Sequence, residues 1–206
     1  MMSCLHTVIV ANTNKLQHPG GQFGGVSNKS TTDAILTFTH DIEAAWNNNK
    51  VTSALTFDIK GYFDYVNHDR LLHEMRRKGI PLQYVRWTAS FLEEREAAVC
   101  IDGTRGEMKP VENGIPQGSP TSPILAAFYS SFLLELFEEQ QKQHQGIPGE
   151  DTTCTPVMLI MYVDDGKLYV SSESLETNAP QLPPPSPGCT PAGVLLGTLR
   201  RSSEGT

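Results

Sequence analysis

Three aspartates have the residue type and the positions to do chemistry in this 206-residue sequence. Asp58 ends a short alternating segment, and Asp164 and Asp165 stand side by side after the apolar residues 157–163. The two groups become neighbours if their segments pair in one sheet. Carboxylate oxygens are ligands that Mg²⁺ prefers, and two ions about 3.5–4 Å apart can hold both the attacking and the leaving oxygen of a phosphoryl transfer. The sequence therefore predicts a metal site built from these acids.

A simpler interpretation of the acidic pair is a solvated hairpin turn, which Asp-Asp-Gly at 164–166 often forms. Asp58 alone also fits an exposed position on a half-buried strand. The setting of the pair argues for the metal site, because residues 158–163 are nearly all apolar and predict a strand buried on both faces. Charges at the end of such a strand need partners or a metal.

Helical and alternating patterns around these acids predict an α+β sheet domain. A capping-box pattern at Ser30–Asp33 precedes a helical period over 31–48. The alternation over 53–59 predicts a strand with one apolar face and with Asp58 on the other face. Further along, the patterns predict helices over 69–78, 81–94 and 124–143, a hairpin of 97–101 with 105–111 about Asp102-Gly103, and a return strand over 167–170.

Charge and composition limit the class of protein. The net charge of −7 argues mildly against nucleic-acid binding, although basic residues cluster at Arg70, Arg76, Arg77, Lys78 and Arg86. The part of this cluster at 76–78 fits either a nucleic-acid contact or a solvated last helical turn, and the latter is slightly favoured. Asn67 is interpreted as a helix cap.

Targeting and redox features are sparse. The sequence shows neither a basic leader nor an apolar run of membrane-spanning length, so neither a signal peptide nor a membrane contact is expected. Four scattered cysteines form no paired motif, which favours a reducing compartment. We therefore expect an intracellular protein of the nucleus or cytoplasm.

Four segments together resemble the reverse transcriptases of non-LTR retrotransposons. Phe57–Asp64 resembles their first palm motif, Gly114–Pro123 the second, and Tyr162–Asp165 the third, the YxDD box. Upstream, Gln22–Gly25 and Ser30–Ala34 resemble the fingers segment before the palm. The resemblance covers about Gln22 to Ser172.

The resemblance implies a polymerase palm, an antiparallel sheet with helices on one face, plus partial fingers. The family continues with a Lys-bearing palm segment, a primer grip and a thumb, whereas this chain becomes proline-rich. We therefore expect the thumb to be absent and the chain truncated after the YxDD box. The predicted organisation is an irregular segment 1–21, fingers and palm over 22–172, and a disordered tail over 173–206.

The resemblance also implies roles for single residues. Asp58 and Asp164 would be the main metal ligands with Asp165 beside them, and the carbonyl of Ile59 could add a ligand. Phe63 stands where the family places the aromatic that blocks a ribose 2′-hydroxyl, although a core aromatic also fits its residue type. The nucleotide and template pocket would be lined by Gln117 and Gly118.

The implied activity is that of an RNA-directed DNA polymerase using two Mg²⁺ ions, with Mn²⁺ able to substitute. Its partners would be an RNA or DNA template with a primer, and dNTP, with no evident protein partner. Without a thumb, the chain alone is expected to extend primers poorly or not at all. Two alternatives are a catalytically inactive retroelement remnant and a metal-dependent phosphatase or nuclease. The loop Gly114–Pro123 argues against hydrolysis, which has no evident use for it.

Overall fold

The chain forms an α+β fold, as the sequence predicts. The structure is a computed structural model that describes residues 21–26, 28–145, 156–182 and 195–199. Its helices are α1 (Thr31–Asn47), α2 (His68–Arg77), α3 (Leu82–Leu92), α4 (Ser122–Gln145) and the one-turn α5 (Leu175–Asn178). Its strands are β1 (Val51–Asp58), β2 (Glu96–Ala97), β3 (Cys100–Ile101), β4 (Thr104–Arg105), β5 (Lys109–Pro110), β6 (Met158–Tyr162), β7 (Asp165–Ser172) and β8 (Leu195–Leu199).

Contacts divide the described chain into two units. The first unit, residues 61–129, contains α2, α3, the short strands β2 to β5 and the beginning of α4. The second unit contains residues 21–60 and the chain from residue 130 onward, with α1, the rest of α4, α5 and the main sheet.

The main sheet has four antiparallel strands in the order β6-β7-β1-β8. Its register pairs Val51 with Ser172 at one end of β1 and Asp58 with Asp165 at the other. Tyr162 pairs with Asp165, so the connection between β6 and β7 is a two-residue turn, Val163–Asp164. The prediction of a turn over 164–166 is therefore wrong, because this pairing makes Asp165 and Gly166 the first residues of β7.

Both faces of this sheet are buried, because apolar residues occupy both sets of alternating positions. On the face that we call the α4 face, Leu134 of α4 packs in a cluster with Leu55, Leu159, Met161, Leu168 and Val170. On the opposite face, the α1 face, Phe38 of α1 packs against Ala54, Ile160 and Tyr169. The predicted double burial of β6 is confirmed. The helices, expected on one face only, lie on both.

Helix α1 begins at the predicted capping box. The Asp33 N–H donates to Ser30 Oγ at 3.2 Å, and the Ser30 N–H donates to Asp33 Oδ2 at 2.7 Å. Two side-chain contacts join α1 to β7: the Tyr169 hydroxyl donates to the Asp41 carboxylate, and the Lys167 ammonium lies 4.1 Å from the Phe38 ring centre. Helix α1 is thereby fixed to the strand that begins with Asp165.

The helices of the first unit follow their sequence signals closely. Asn67 caps α2 by accepting from the Arg70 N–H, and Gly79, with φ of +71°, follows its last turn.

The predicted hairpin is present as two short ladders, β2 with β5 and β3 with β4. Asp102 and Gly103 both have positive φ, as a two-residue hairpin turn requires.

The prediction of a disordered tail from residue 173 is wrong for the residues that the structure describes. Helix α5 and a 3₁₀ turn, Ala179–Gln181, follow β7, and β8 pairs with β1. The buried Asn178 amide donates to the Val51 carbonyl at 2.8 Å, and Leu182 joins the cluster on the α4 face. Each of these contacts is made by a single residue, so they leave no repeating apolar pattern in the sequence of the tail. Residues 1–20, most of the predicted irregular segment, lie outside the description.

None of the described helices is long and apolar enough to cross a membrane.

We predict that Leu182→Ala lowers the free energy of unfolding by about 2–5 kcal/mol, the usual cost of a buried Leu→Ala change. Leu182 is 6% exposed in the cluster on the α4 face. The matched control is Leu36→Ala, because Leu36 is 60% exposed on α1 and its change should stay within about 0.5 kcal/mol. Urea unfolding measures both. Equal effects of the two substitutions would contradict packing of the tail.

Candidate active site

The register of β1 and β7 places Asp58 and Asp165 directly opposite each other. Directly paired residues share a face, with Cβ atoms about 4.5–5.5 Å apart. Asp58 is the last residue of β1 and Asp165 the first of β7, so both lie at the same end of the sheet. Sequence reasoning paired Asp58 mainly with Asp164, whereas the structure places Asp165 across from Asp58 and Asp164 in the turn.

The acidic turn is bonded to the chain beyond β1. The Ile59 N–H donates to the Asp164 carbonyl at 3.4 Å, and the Ile59 side chain packs against the cluster on the α4 face. Ile59 therefore lies beside the acids, and its role as a metal ligand stays a prediction.

The three carboxylates act on one another electrostatically. Burial raises the pKa of the Asp165 carboxyl, and the charges of Asp164 and Asp58 raise it further. This negative charge is uncompensated by any ion pair within the described residues of β1 and β7. The arrangement thus favours a proton or a cation.

A pocket of about 420 Å³ opens beside the acids on the α1 face. Its walls include Asp58, Asp165 and the apolar side chains of Ile35, Phe38 and Ile160. Lys167 also lines it. Sequence reasoning missed Lys167, although its position two residues after Asp165 on a strand puts both on one face.

The chemistry of the donor set fits a hard divalent cation. Among the described residues, no group of three or more His, Cys, Asp or Glu side chains is arranged to hold a metal ion. Mg²⁺ is usually held through one or two carboxylates, with waters and substrate phosphates completing its shell. The facing pair Asp58 and Asp165, with Asp164 beside it, matches that sparse protein contribution.

The remaining predicted site residues lie in the first unit. Phe63 is half-buried, its ring makes an edge contact with the Tyr62 ring, and its carbonyl accepts from the Ile115 N–H at 2.8 Å. Gln117 and Gly118 form an exposed turn, in which the Ser119 N–H donates to the Pro116 carbonyl. The φ of +88° at Gly118 explains why glycine stands there.

The same loop packs closely on the segment that carries Phe63. A Cβ on Gly114 would lie 2.6 Å from the Asp64 carbonyl oxygen, and the Gly114 N–H donates to the Val66 carbonyl at 2.8 Å. The Gly114 carbonyl in turn accepts from His68 Nε2 and Arg95 Nη1. Phe63 and the loop with Gln117 are therefore held in one fixed arrangement within their unit.

Part of the basic cluster on α2 is already paired. Arg70 and Arg77 form ion pairs with Glu74, whose side chain is buried. This favours a structural role for these two arginines over a contact with nucleic acid.

Comparison with known proteins identifies the family. The family model described as "Reverse transcriptase (RNA-dependent DNA polymerase)" matches residues 2–182, so the chain belongs to the reverse transcriptase family. It is 29% identical over 157 residues to the "RNA-directed DNA polymerase from mobile element jockey" of Drosophila melanogaster, covering 76% of this chain and 16% of that protein.

A more distant relative supports the same family. The "Retrovirus-related Pol polyprotein from type-1 retrotransposable element R2" of Popillia japonica is 24% identical over 132 residues, which cover 64% of this chain and 21% of that protein. The resemblance to non-LTR retrotransposon reverse transcriptases is confirmed. The chain spans about a fifth or less of these relatives.

Solved structures confirm the palm fold. Telomerase from Candida tropicalis, in complex with a TWJ fragment of telomeric RNA, superposes with a TM-score of 0.60 at 16% identity, over 97% of this chain and 33% of that one. The apo enzyme without its C-terminal domain gives a TM-score of 0.58 at 18% identity, over 85% and 35%. At these identities the likeness concerns the fold alone.

We predict that Asp58→Asn lowers the pKa of Asp165 toward its ordinary value, because one of the charges that raise it is removed. NMR titration of the Asp165 carboxyl carbon measures the change. The control is Glu43→Gln, since Glu43 is not among the charges that act on Asp165. An Asp165 pKa that ignores Asp58→Asn would contradict their pairing.

The same shift predicts a pH dependence of stability. A carboxyl whose folded pKa is raised leaves the native state with more bound protons than the unfolded state, so its contribution to stability falls as pH rises through that interval. We expect Asp165→Asn to gain stability relative to the wild type between about pH 3 and pH 7. Urea unfolding at both pH values measures this difference. A constant difference would contradict the raised pKa.

Proposed function

We propose that this chain carries the nucleotidyl-transfer site of an RNA-directed DNA polymerase of a retroelement. In this reaction the primer 3′-hydroxyl attacks the α-phosphate of a dNTP on an RNA or DNA template, and pyrophosphate leaves. The observation that carries the proposal is the register that sets Asp58 across from Asp165, beside Asp164, in a member of the reverse transcriptase family.

We further propose that Asp58 and Asp165, with Asp164 beside them, contribute ligands to two Mg²⁺ ions whose shells water and substrate phosphates complete, with Mn²⁺ able to substitute. When bound, such ions stabilise the charge that develops on the attacking and leaving oxygens. The chain contributes the positions of the acids, which β1 and β7 fix before substrate arrives. Burial first, and then the charges of Asp164 and Asp58, raise the pKa of Asp165. A bound cation would relieve this repulsion, which favours cation binding at the site.

The other residues receive their roles from the family motifs. We propose that the Ile59 carbonyl adds a metal ligand and that Phe63 excludes the ribose 2′-hydroxyl. The exposed turn with Gln117 and Gly118 would contact the nucleotide and template. Support for Phe63 comes from its backbone bond to Ile115, which fixes the segment that carries the ring. A side chain that excludes the 2′-hydroxyl by steric contact must keep a fixed position.

We predict that Asp58→Asn and Asp165→Asn each reduce primer extension by at least about 100-fold, the upper end of the usual effect of disturbing groups around a metal. Each amide keeps the size of the side chain and removes its charge. Extension of a labelled primer on RNA and DNA templates, with dNTP and Mg²⁺ or Mn²⁺, measures the effect.

The matched control for these variants is Asp102→Asn in the exposed hairpin turn, where φ is +49° and Asn is well tolerated. It should retain extension. Because the chain alone is expected to extend primers weakly, Mn²⁺ titration accompanies the assay. A wild type that neither extends a primer nor binds Mn²⁺ through Asp58 and Asp165 would contradict the proposal and favour an inactive remnant. Metal-dependent hydrolysis of nucleic acid or phosphate esters without extension would favour a hydrolase.

We predict that Phe63→Ala increases incorporation of ribonucleotides relative to deoxyribonucleotides, because the excluding ring is lost. Competing single-nucleotide extension with dNTP and rNTP measures the ratio. Tyr65→Ala is the control, since Tyr65 is 77% exposed two residues further on. Equal ratios in the wild type and Phe63→Ala would remove the role proposed for this ring.

A further inference from the structure

The acidic turn has an unusual backbone conformation at its first residue. Val163 has φ of +60°, a left-handed conformation that β-branched residues rarely adopt. Such a conformation persists only where the surrounding structure holds it.

Residues 21–24 lie along β6 and end against this turn. The Phe23 N–H donates to the Met161 carbonyl at 2.9 Å, and the Met161 N–H donates to the Gly21 carbonyl at 2.6 Å. Gln22 forms a parallel bridge with Met161, and its buried amide donates to the Gly24 carbonyl at 2.9 Å. The backbone of this segment is therefore fixed up to Gly24.

Gly24 touches the turn where a side chain would not fit. A Cβ at this position would lie 2.7 Å from Val163 Cγ2, 2.7 Å from Val163 N and 3.0 Å from the Tyr162 carbonyl carbon. Gly24 is not among the residues with positive φ. Its own backbone thus accommodates other residues, and close approach to Val163 is the feature that requires glycine.

The opposite side of the turn is held by the Ile59 N–H, which donates to the Asp164 carbonyl. The turn lies between this bond and Gly24. We propose that Gly24 is a positioning residue: its bare backbone supports Val163 in the left-handed conformation, which sets Asp164 in the turn and Asp165 opposite Asp58. The proposal rests on the proposed function for its effect on metal and activity.

The test compares two glycines of the same segment. Gly24→Ala crowds the turn, whereas Gly21→Ala crowds Leu134 Cδ2 at 2.4 Å and the Leu159 carbonyl at 2.9 Å, away from the turn. Both should lower the melting temperature. Only Gly24→Ala should change the φ of Val163, measured from NMR couplings at a temperature where all variants are folded.

Mn²⁺ titration and primer extension then show the consequence for the acids. We expect Gly24→Ala to weaken Mn²⁺ binding about 10–100-fold, as for other groups that orient metal ligands. We also expect it to lower kcat by a larger factor than it changes the KM for dNTP. Gly21→Ala should bind Mn²⁺ as the wild type does. Gly24→Ala with Val163→Gly should regain part of the affinity, because glycine adopts positive φ freely and lacks the crowded methyl group.

The outcomes separate this inference from the proposed function. An unchanged Val163 φ in Gly24→Ala, or equal changes in Gly24→Ala and Gly21→Ala, would overturn the positioning role. A change in φ confined to Gly24→Ala supports it even if the wild type neither extends a primer nor binds Mn²⁺, in which case the polymerase proposal alone fails.

Discussion

Asp58 and Asp165 face each other across β1 and β7, and the structure must hold these two negative charges together. Like charges directly opposite each other across antiparallel strands destabilise the pairing, so other contacts must keep β1 and β7 in register. The two apolar faces supply them. A slip of one residue between β1 and β7 would turn Leu55 and its neighbours away from the α4 face. The apolar residues of the two strands therefore also fix the positions of the acids.

A single cross-strand pair strengthens this register next to the acids. Phe57 lies opposite Gly166, and a Cβ on Gly166 would lie 2.1 Å from the Phe57 ring. The ring thus occupies the space of the missing side chain. Gly166, which sequence patterns assign to a turn, is required here by packing across the sheet. A side chain at position 166 would collide with the Phe57 ring, so this pair favours the register that also sets Asp58 opposite Asp165.

The sequence predicts local features well and pairing details poorly. Ser30 and Asp33 begin α1 as expected, and Asp102-Gly103 closes its hairpin, because both signals depend on neighbouring residues alone. The acids are recognised from their family motifs, but the choice of Asp165 as the partner of Asp58 depends on a turn at Val163, whose residue type opposes the φ it adopts. The contacts of Asn178 and Leu182 could not be predicted from the sequence either, since in each case one residue contacts elements that are distant in sequence.

The ends of β1 differ in how firmly they are held. At its beginning, the Asn178 amide donates to the Val51 carbonyl at 2.8 Å and to Ser53 Oγ at 3.1 Å. Strand β8 also pairs with β1 over Thr52–Thr56. At its acidic end, the bond from Ile59 to Asp164 is long, at 3.4 Å, and the facing carboxylates repel. Local stability varies in this way where a site must respond to ligands. Because the beginning of β1 is firmly anchored, its other end can carry uncompensated negative charge. A bound cation would then neutralise this charge, and substrate would complete the site.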